Sequence, residues 1–277
     1  MLLALLGASL FFLQSCGSSS EEAGSESGES SGQLVLTGSS TIAPLATEIG
    51  KRFEEAHSDV QVDVQTGGSS RGVADVRSGV ADIGMASRSL NDEEANLLAY
   101  TLALDGVSLI VHRDNPVQAL SDDQVRSIYT GETTNWNEVG GNDAPITVVN
   151  KAEGRSTLEL FLEHFGLEGT DVQADTVIGD NEQGIKAVAG DPNSVGYVSI
   201  GTAEFDAADG VPIKLLPAGG IEASTENVRN GTFPISRPLN LVTESQPEGL
   251  RKEFIDFAQS NDVQDLVEEQ FFVPVAG

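Results

Sequence analysis

The chain has 277 residues, enough for two modest domains, and its 39 % hydrophobic but only 5 % aromatic content calls for a mostly aliphatic core. Its 15 lysines and arginines stand against 43 aspartates and glutamates, a formal net charge of −28. That argues against nucleic acid as a partner, whose binding is driven by cations neutralising phosphates. The single cysteine excludes an internal disulfide framework and a cysteine-based zinc cluster.

In chain order, Leu2 to Leu13 is an apolar run too short to span a bilayer comfortably, but of the length of a signal-peptide core. It ends in Leu13-Gln14-Ser15-Cys16, which resembles a bacterial lipobox with Cys16 as the acylated lipid anchor. Residues 17–32 are almost wholly Ser, Gly and Glu, too polar to offset their ordering entropy, and read as a flexible tether. Signal, cysteine and tether in series describe an exported domain hung from a membrane surface. From Gln33 onward, strands and helices alternate. Leu34 to Leu36 is a short strand, and Pro44 opens a helix with Leu45, Ile49 and Phe53 on one stripe. Val60, Val62 and Val64 alternate as a half-buried strand. A short helix follows with Val73, Val76 and Val80 facing inward, then a strand over Ala81 to Met85. Asp105 to His112 reads as a longer strand. After it come a helix capped by Ser121, a strand over Ile146 to Asn150, a helix over Thr157 to Phe165, a helix around Ile185 and a strand over Val195 to Ile200. Pro234 to Thr243 is extended, and two amphipathic helices close the chain. This alternation predicts an α/β fold with a largely parallel sheet.

Three turns rich in Gly, Ser and Thr each join a strand to a helix. They are Thr37 to Pro44, Gly67 to Gly72, and Lys151 to Thr157. Helix starts expose free N–H groups and a partial positive charge, glycine admits close backbone approach, and hydroxyls add rotatable donors. One such turn is explained by helix capping alone. Three can converge at the carboxyl ends of the strands of one α/β sheet, where neutral donors would hold a small anion without a large local positive charge.

Seven ordered segments carry a resemblance that spans nearly all of the chain from Gln33. They begin with TGSSTIAPLATEIGKRFE, QTGGSSRGVADVRSGVADIGMASRSL and LDGVSLIVHRDNPV, and continue with IYTGETTNWNEVGG, KAEGRSTLELF, SVGYVSIG and PISRPLNLVT. Together they resemble the bacterial phosphate-binding proteins of the phosphate ABC importer. The resemblance implies a two-lobed type II periplasmic-binding-protein fold with two crossover strands, Asp105–His112 and Pro234–Thr243. Lobe 1 would comprise residues 33–110 and 235–277, and lobe 2 residues 111–234. It implies capture of inorganic phosphate for an ABC permease, with no enzyme activity and no cofactor or metal. It also implies ligand contacts from Ser40, Thr41, Ile42, Ser69, Ser70, Ser87, Arg155, Ser156 and Thr157. Ser87 stands where some relatives carry an aspartate that accepts the phosphate proton, and Asp105 is the expected substitute. Lys151 stands at a position often held by arginine; Arg155 is expected to take over the fork that a lysine cannot make, with Arg71 and Arg88 as weaker candidates, each equally suited to a surface or interlobe ion pair.

Other readings remain open on the sequence. Sulfate, molybdate or tungstate would suit the same donors, and a sensing or scaffold lipoprotein could keep the fold without transport. Gly68 to Gly72 also matches the Gly-x-Ser-x-Gly elbow of a serine hydrolase with Ser70 as nucleophile. The downstream histidines His112 and His164 fall in a predicted strand and near a helix end, poor places for a triad base, and with His57 they are too dispersed for a metal site.

Overall fold

A computed structural model describes residues 32–275. The signal segment, Cys16 and all of the tether except Gly32 lie outside the described residues. The elements are β1 (Gly32–Gly38), α1 (Ala43–Ala56), β2 (Val60–Thr66), α2 (Ser69–Arg77), β3 (Ile83–Ala86) and β4 (Leu98–His112). Next come α3 (Asp122–Tyr129), β5 (Thr147–Lys151), α4 (Ser156–Phe165), β6 (Thr176–Ile178), α5 (Asn181–Gly190), β7 (Ser194–Ser199) and α6 (Ile200–Ala208). The chain continues through β8 (Ile213–Leu215), α7 (Thr225–Arg229), β9 (Ser236–Thr243), α8 (Gly249–Ala258), α9 (Gln264–Glu269) and β10 (Val273–Pro274).

The strands hydrogen-bond in the order β2-β1-β3-β9-β4-β7-β5-β6. Parallel pairs β1–β2 and β1–β3 build one lobe, and parallel pairs β5–β6 and β5–β7 the other. Between them β4 and β9 run antiparallel, the crossovers that join the lobes. Strand β4 changes partner along its length. Leu98 to Gly106 pair with β9, and Val107 to Val111 pair with β7. β4 begins at Leu98, upstream of the Asp105 start that its apolar run suggested, because alternating Leu98-Ala99-Tyr100-Thr101 completes a ladder with β9.

Each lobe has its own core. In the first, Leu36, Ile49, Ile83 and Leu241 surround Phe53, whose ring meets Phe254 edge-on at 5.3 Å. In the second, Tyr129, Trp136, Phe161 and Tyr197 dominate, with Phe161 stacked on Tyr197. The Trp136 indole N–H is satisfied by the Asn193 carbonyl at 2.8 Å, as burial of that ring requires. Val80 departs from its expected inward place. α2 ends at Arg77, Gly79 turns the chain with φ 69°, and Val80 beyond it is 62 % exposed.

Candidate functional site

The three Gly/Ser/Thr turns do meet, in a small pocket between the lobes. Ser39, Ser40, Thr41, Gly68, Ser69 and Ser87 line it from the first lobe, and Lys151, Arg155, Ser156, Thr157 and Gly179 from the second. Glycine is required at two points of this convergence. A Cβ on Gly38 would lie 2.3 Å from the Met85 carbonyl oxygen, where β1 and β3 approach, and φ is 132°. A Cβ on Gly68 would lie 2.5 Å from the Gly154 carbonyl oxygen on the opposite lobe, and φ is 98°. The Gly67 and Gly68 N–H groups both donate to the Gly38 carbonyl at 2.9 Å, which ties the first two turns together.

At the floor sits Arg237 on β9, 2 % exposed. It is the cross-strand partner of Asp105 on β4. Its Nε and Nη2 donate to Asp105 Oδ2 at 3.0 and 2.8 Å. The remaining guanidinium donors fan out: Nη2 to Thr41 Oγ1 at 3.2 Å, and Nη1 to Thr157 Oγ1 at 2.9 Å and Ser87 Oγ at 3.4 Å. One buried cation on a crossover strand therefore touches hydroxyls from both lobes.

These contacts dictate how the hydroxyls can act. A hydroxyl has two lone pairs and one proton. Thr41 Oγ1 accepts from Arg237 and from Asn181 Nδ2 at 3.0 Å, so both lone pairs are engaged. Thr157 and Ser87 accept from Arg237, Ser69 Oγ accepts from the Ser87 N–H at 3.2 Å, and Ser39 Oγ accepts from the Thr41 and Ile42 N–H groups at 3.2 and 3.4 Å. Ser156 Oγ, at the start of α4, and Arg155 Nε are buried with no partner among the described residues. The protein thus supplies donors to the hydroxyl oxygens of Ser39, Thr41, Ser69, Ser87 and Thr157 and leaves their protons for whatever enters. Among the described residues, no carboxylate lines the pocket. What such a cage suits is a small species rich in acceptor oxygens and poor in protons, an oxyanion.

Lys151 closes the second-lobe side. It is 3 % exposed and its Nζ donates to Asn181 Oδ1 at 2.8 Å. Burial, with Arg237 and Arg155 nearby, draws its ammonium down to about 7, against the opposing pull of Asp180. Asn181 opens α5, a fourth helix start, whose Asp180 side chain caps the Gln183 N–H at 2.8 Å.

Several expectations need correction. Asp105 is not a free acceptor in the pocket: Oδ2 is held by Arg237 and Oδ1 accepts the Gly201 N–H at 3.2 Å, because the buried guanidinium demands a counter-charge. Ile42 is wholly buried and its N–H turns to Ser39 Oγ, so it does not line the pocket. Ser70 lies at the lobe boundary, where its hydroxyl donates to Glu159 Oε1 at 3.1 Å and its N–H to the Gly154 carbonyl at 3.3 Å. Arg88 and Arg71 take their ion-pair alternative: Arg88 joins that boundary, paired with Glu94 at 2.6 Å and Glu159 at 2.7 Å, while Arg71 pairs locally with Asp75. Nor is the site built on neutral donors alone, since Lys151 and Arg155 line it and Arg237 lies beneath. Sequence reading passed over Arg237, although it is the lone charge in an otherwise apolar and polar-neutral crossover segment. It also passed over Asn181, signalled only by a capping aspartate before a helix.

The chain matches the PBP superfamily domain over residues 23–262. It is 30 % identical over 287 residues to the phosphate-binding protein PstS of Bacillus subtilis, covering 99 % of this chain and 93 % of that relative. This chain belongs to the PstS family of the PBP superfamily. The solved structures agree. A putative phosphate ABC transporter substrate-binding protein of Clostridium perfringens with bound phosphate superposes with a TM-score of 0.79 at 35 % identity, over 88 % of this chain and 100 % of that one. An ABC-type phosphate transport receptor of Vibrio cholerae gives a TM-score of 0.70 at 30 % identity, with the same coverage. The two-lobed α/β architecture with β4 and β9 as crossovers is the fold of this family.

Proposed function

We propose that this PstS-family chain is an extracytoplasmic receptor that closes its lobes on inorganic phosphate and delivers it to an ABC permease. One observation carries the reading: Thr41, Ser69, Ser87 and Thr157, whose hydroxyl oxygens already accept hydrogen bonds from the protein, converge with Lys151 and Arg155 on one small pocket with no carboxylate among its described lining residues. The relative of known structure that holds phosphate supports the choice of anion. Thr41, Ser69 and Ser87 donate from the first lobe with Ser40 at the rim, and Arg155, Ser156 and Thr157 donate from the second. Charge-assisted hydrogen bonds contribute about 1.5–3 kcal/mol each, so a handful in a closed site supports micromolar affinity or better.

The lobes divide where β4 exchanges β9 for β7, between Gly106 and Val107, and hinge closure turns on β4 and β9. Cys16 anchors the chain by lipid, and residues 17–32 let the receptor reach its permease. A second reading, a receptor for a fully ionised oxyanion such as sulfate, is favoured by the lack of a carboxylate among the described lining residues to accept a ligand proton. Calorimetric titration with phosphate, sulfate, molybdate and tungstate decides. Phosphate binding at least tenfold tighter than the others is expected, equal or tighter sulfate binding would replace phosphate as the ligand, and binding of none would leave a scaffold role.

A further inference from the structure

Among the pocket-lining residues described, Lys151 is the side chain whose charge can change near neutral pH. Its surroundings explain why. Arg237 approaches from β9 with Asp105 behind it, and Arg155 from the turn before α4. From α5 come Asp180 and the uncharged Asn181, and from β7 the Tyr197 phenol, which accepts the Lys151 backbone N–H at 3.3 Å and is kept protonated by burial. In this setting the amine has one protein partner, Asn181 Oδ1, and an ammonium would have two further N–H directions to offer the pocket.

We propose that Lys151 contacts the anion and takes up a proton as the anion enters, so that the pocket captures anion and proton together. The inference rests on the phosphate reading above. Without ligand, burial and two guanidiniums hold the ammonium at about 7, so above neutrality most molecules carry the free amine. An entering anion supplies the missing counter-charge and an acceptor, and the ammonium form becomes the favoured one. When the dianion arrives, the proton comes from solvent and a new N–H bond forms. When the monoanion arrives, its own O–H breaks as that N–H forms, leaving the dianion. The loaded pocket is the same in both cases: the dianion, with three unprotonated oxygens and one remaining O–H, beside the Lys151 ammonium. From the monoanion, Lys151 thereby takes the more acidic proton, in a pocket with no carboxylate among its described lining residues.

Calorimetric titration of the full chain with inorganic phosphate at pH 8, in two buffers of different ionisation enthalpy, tests this. The expected result is a net uptake of about 0.8 proton per phosphate, since an amine with its ammonium at about 7 is about nine-tenths free at that pH and the minor monoanion brings its own proton. Phosphate affinity should then fall by up to about tenfold between pH 8 and pH 9. K151R, permanently charged, should lose both the uptake and the pH slope; K151M should lose the uptake as well. Phosphate binding with a proton number near zero, or uptake that persists in K151R, overturns the inference and leaves the phosphate reading standing. Absence of phosphate binding by the unaltered chain overturns that reading, and the inference with it. The proton number of the unaltered chain decides the matter even where neither variant folds.

Discussion

Replacing Asp105 by asparagine separates two roles for this residue that have opposite signatures. As the acceptor of a ligand proton, Asp105 would matter to phosphate and not to folding. As the counter-charge of Arg237, it matters to folding first. The Asp105 and Arg237 side chains are 1 % and 0 % exposed, so solvent cannot compensate the guanidinium once the carboxylate is gone. D105N keeps the shape but must turn an NH2 group towards either the Arg237 donors or the Gly201 N–H, and donor then faces donor. Breaking a buried pair by removing one partner costs about 3–5 kcal/mol. For a chain of this size 1 kcal/mol moves the midpoint by about 2–4 °C, so D105N should melt about 6–20 °C lower.

The assay is thermal unfolding of the unaltered chain and D105N, each with and without saturating phosphate, alongside titrations with phosphate and sulfate. The ligand-free midpoint should fall, and phosphate and sulfate affinities should change by similar factors, because Arg237 positions donors that serve any oxyanion. Unchanged melting with a selective loss of phosphate over sulfate would refute the counter-charge argument and restore the acceptor role.

Two further perturbations address closure. E159A removes the carboxylate that receives both Ser70 and Arg88 across the lobe boundary; Glu159 is 39 % exposed, so the loss should be about 0.5–1.5 kcal/mol. It should appear as two- to tenfold weaker binding of every oxyanion, carried by faster release in stopped-flow measurements, and unchanged release would contradict a closing role. G68A introduces a Cβ 2.5 Å from the Gly154 carbonyl of the other lobe at a φ of 98°. Small-angle scattering should show G68A as extended with phosphate as without it, and a normal compaction would contradict the close approach.

The fold was legible because its carriers are periodic: the Leu45, Ile49 and Phe53 stripe and the Val60, Val62 and Val64 alternation each report a face. The three turns of the site were legible for a related reason, since helix starts advertise themselves in Gly, Ser and Thr. What could not be read is which atom of each residue is already engaged. Thr41 is a donor to the pocket because Asn181 and Arg237, 140 and 196 positions away, occupy its lone pairs. Asp105, midway along β4, and Ser70, in the first turn of α2, have the right chemistry close to the cleft, yet tertiary partners claim them. A single isolated arginine in a strand carries no periodicity, so Arg237 had no local pattern to announce it.

The position of Arg237 links the hinge to the ligand. It sits on β9, one of the two strands that join the lobes, and it is locked to the other, β4, through Asp105. From there it reaches Thr41 and Ser87 of the first lobe and Thr157 of the second. Separating the lobes must lengthen at least one of these hydrogen bonds, so the hydroxyls are oriented as donors together only in the closed arrangement. An oxyanion that bridges the two sets of hydroxyls adds its bonds to those of Arg237 in that same arrangement. This explains how a chain of net charge −28 can hold an anion: the long-range field is screened beyond about 8 Å at physiological salt. Inside that distance the ligand meets Lys151, Arg155 and hydroxyl protons that closure has already turned towards it.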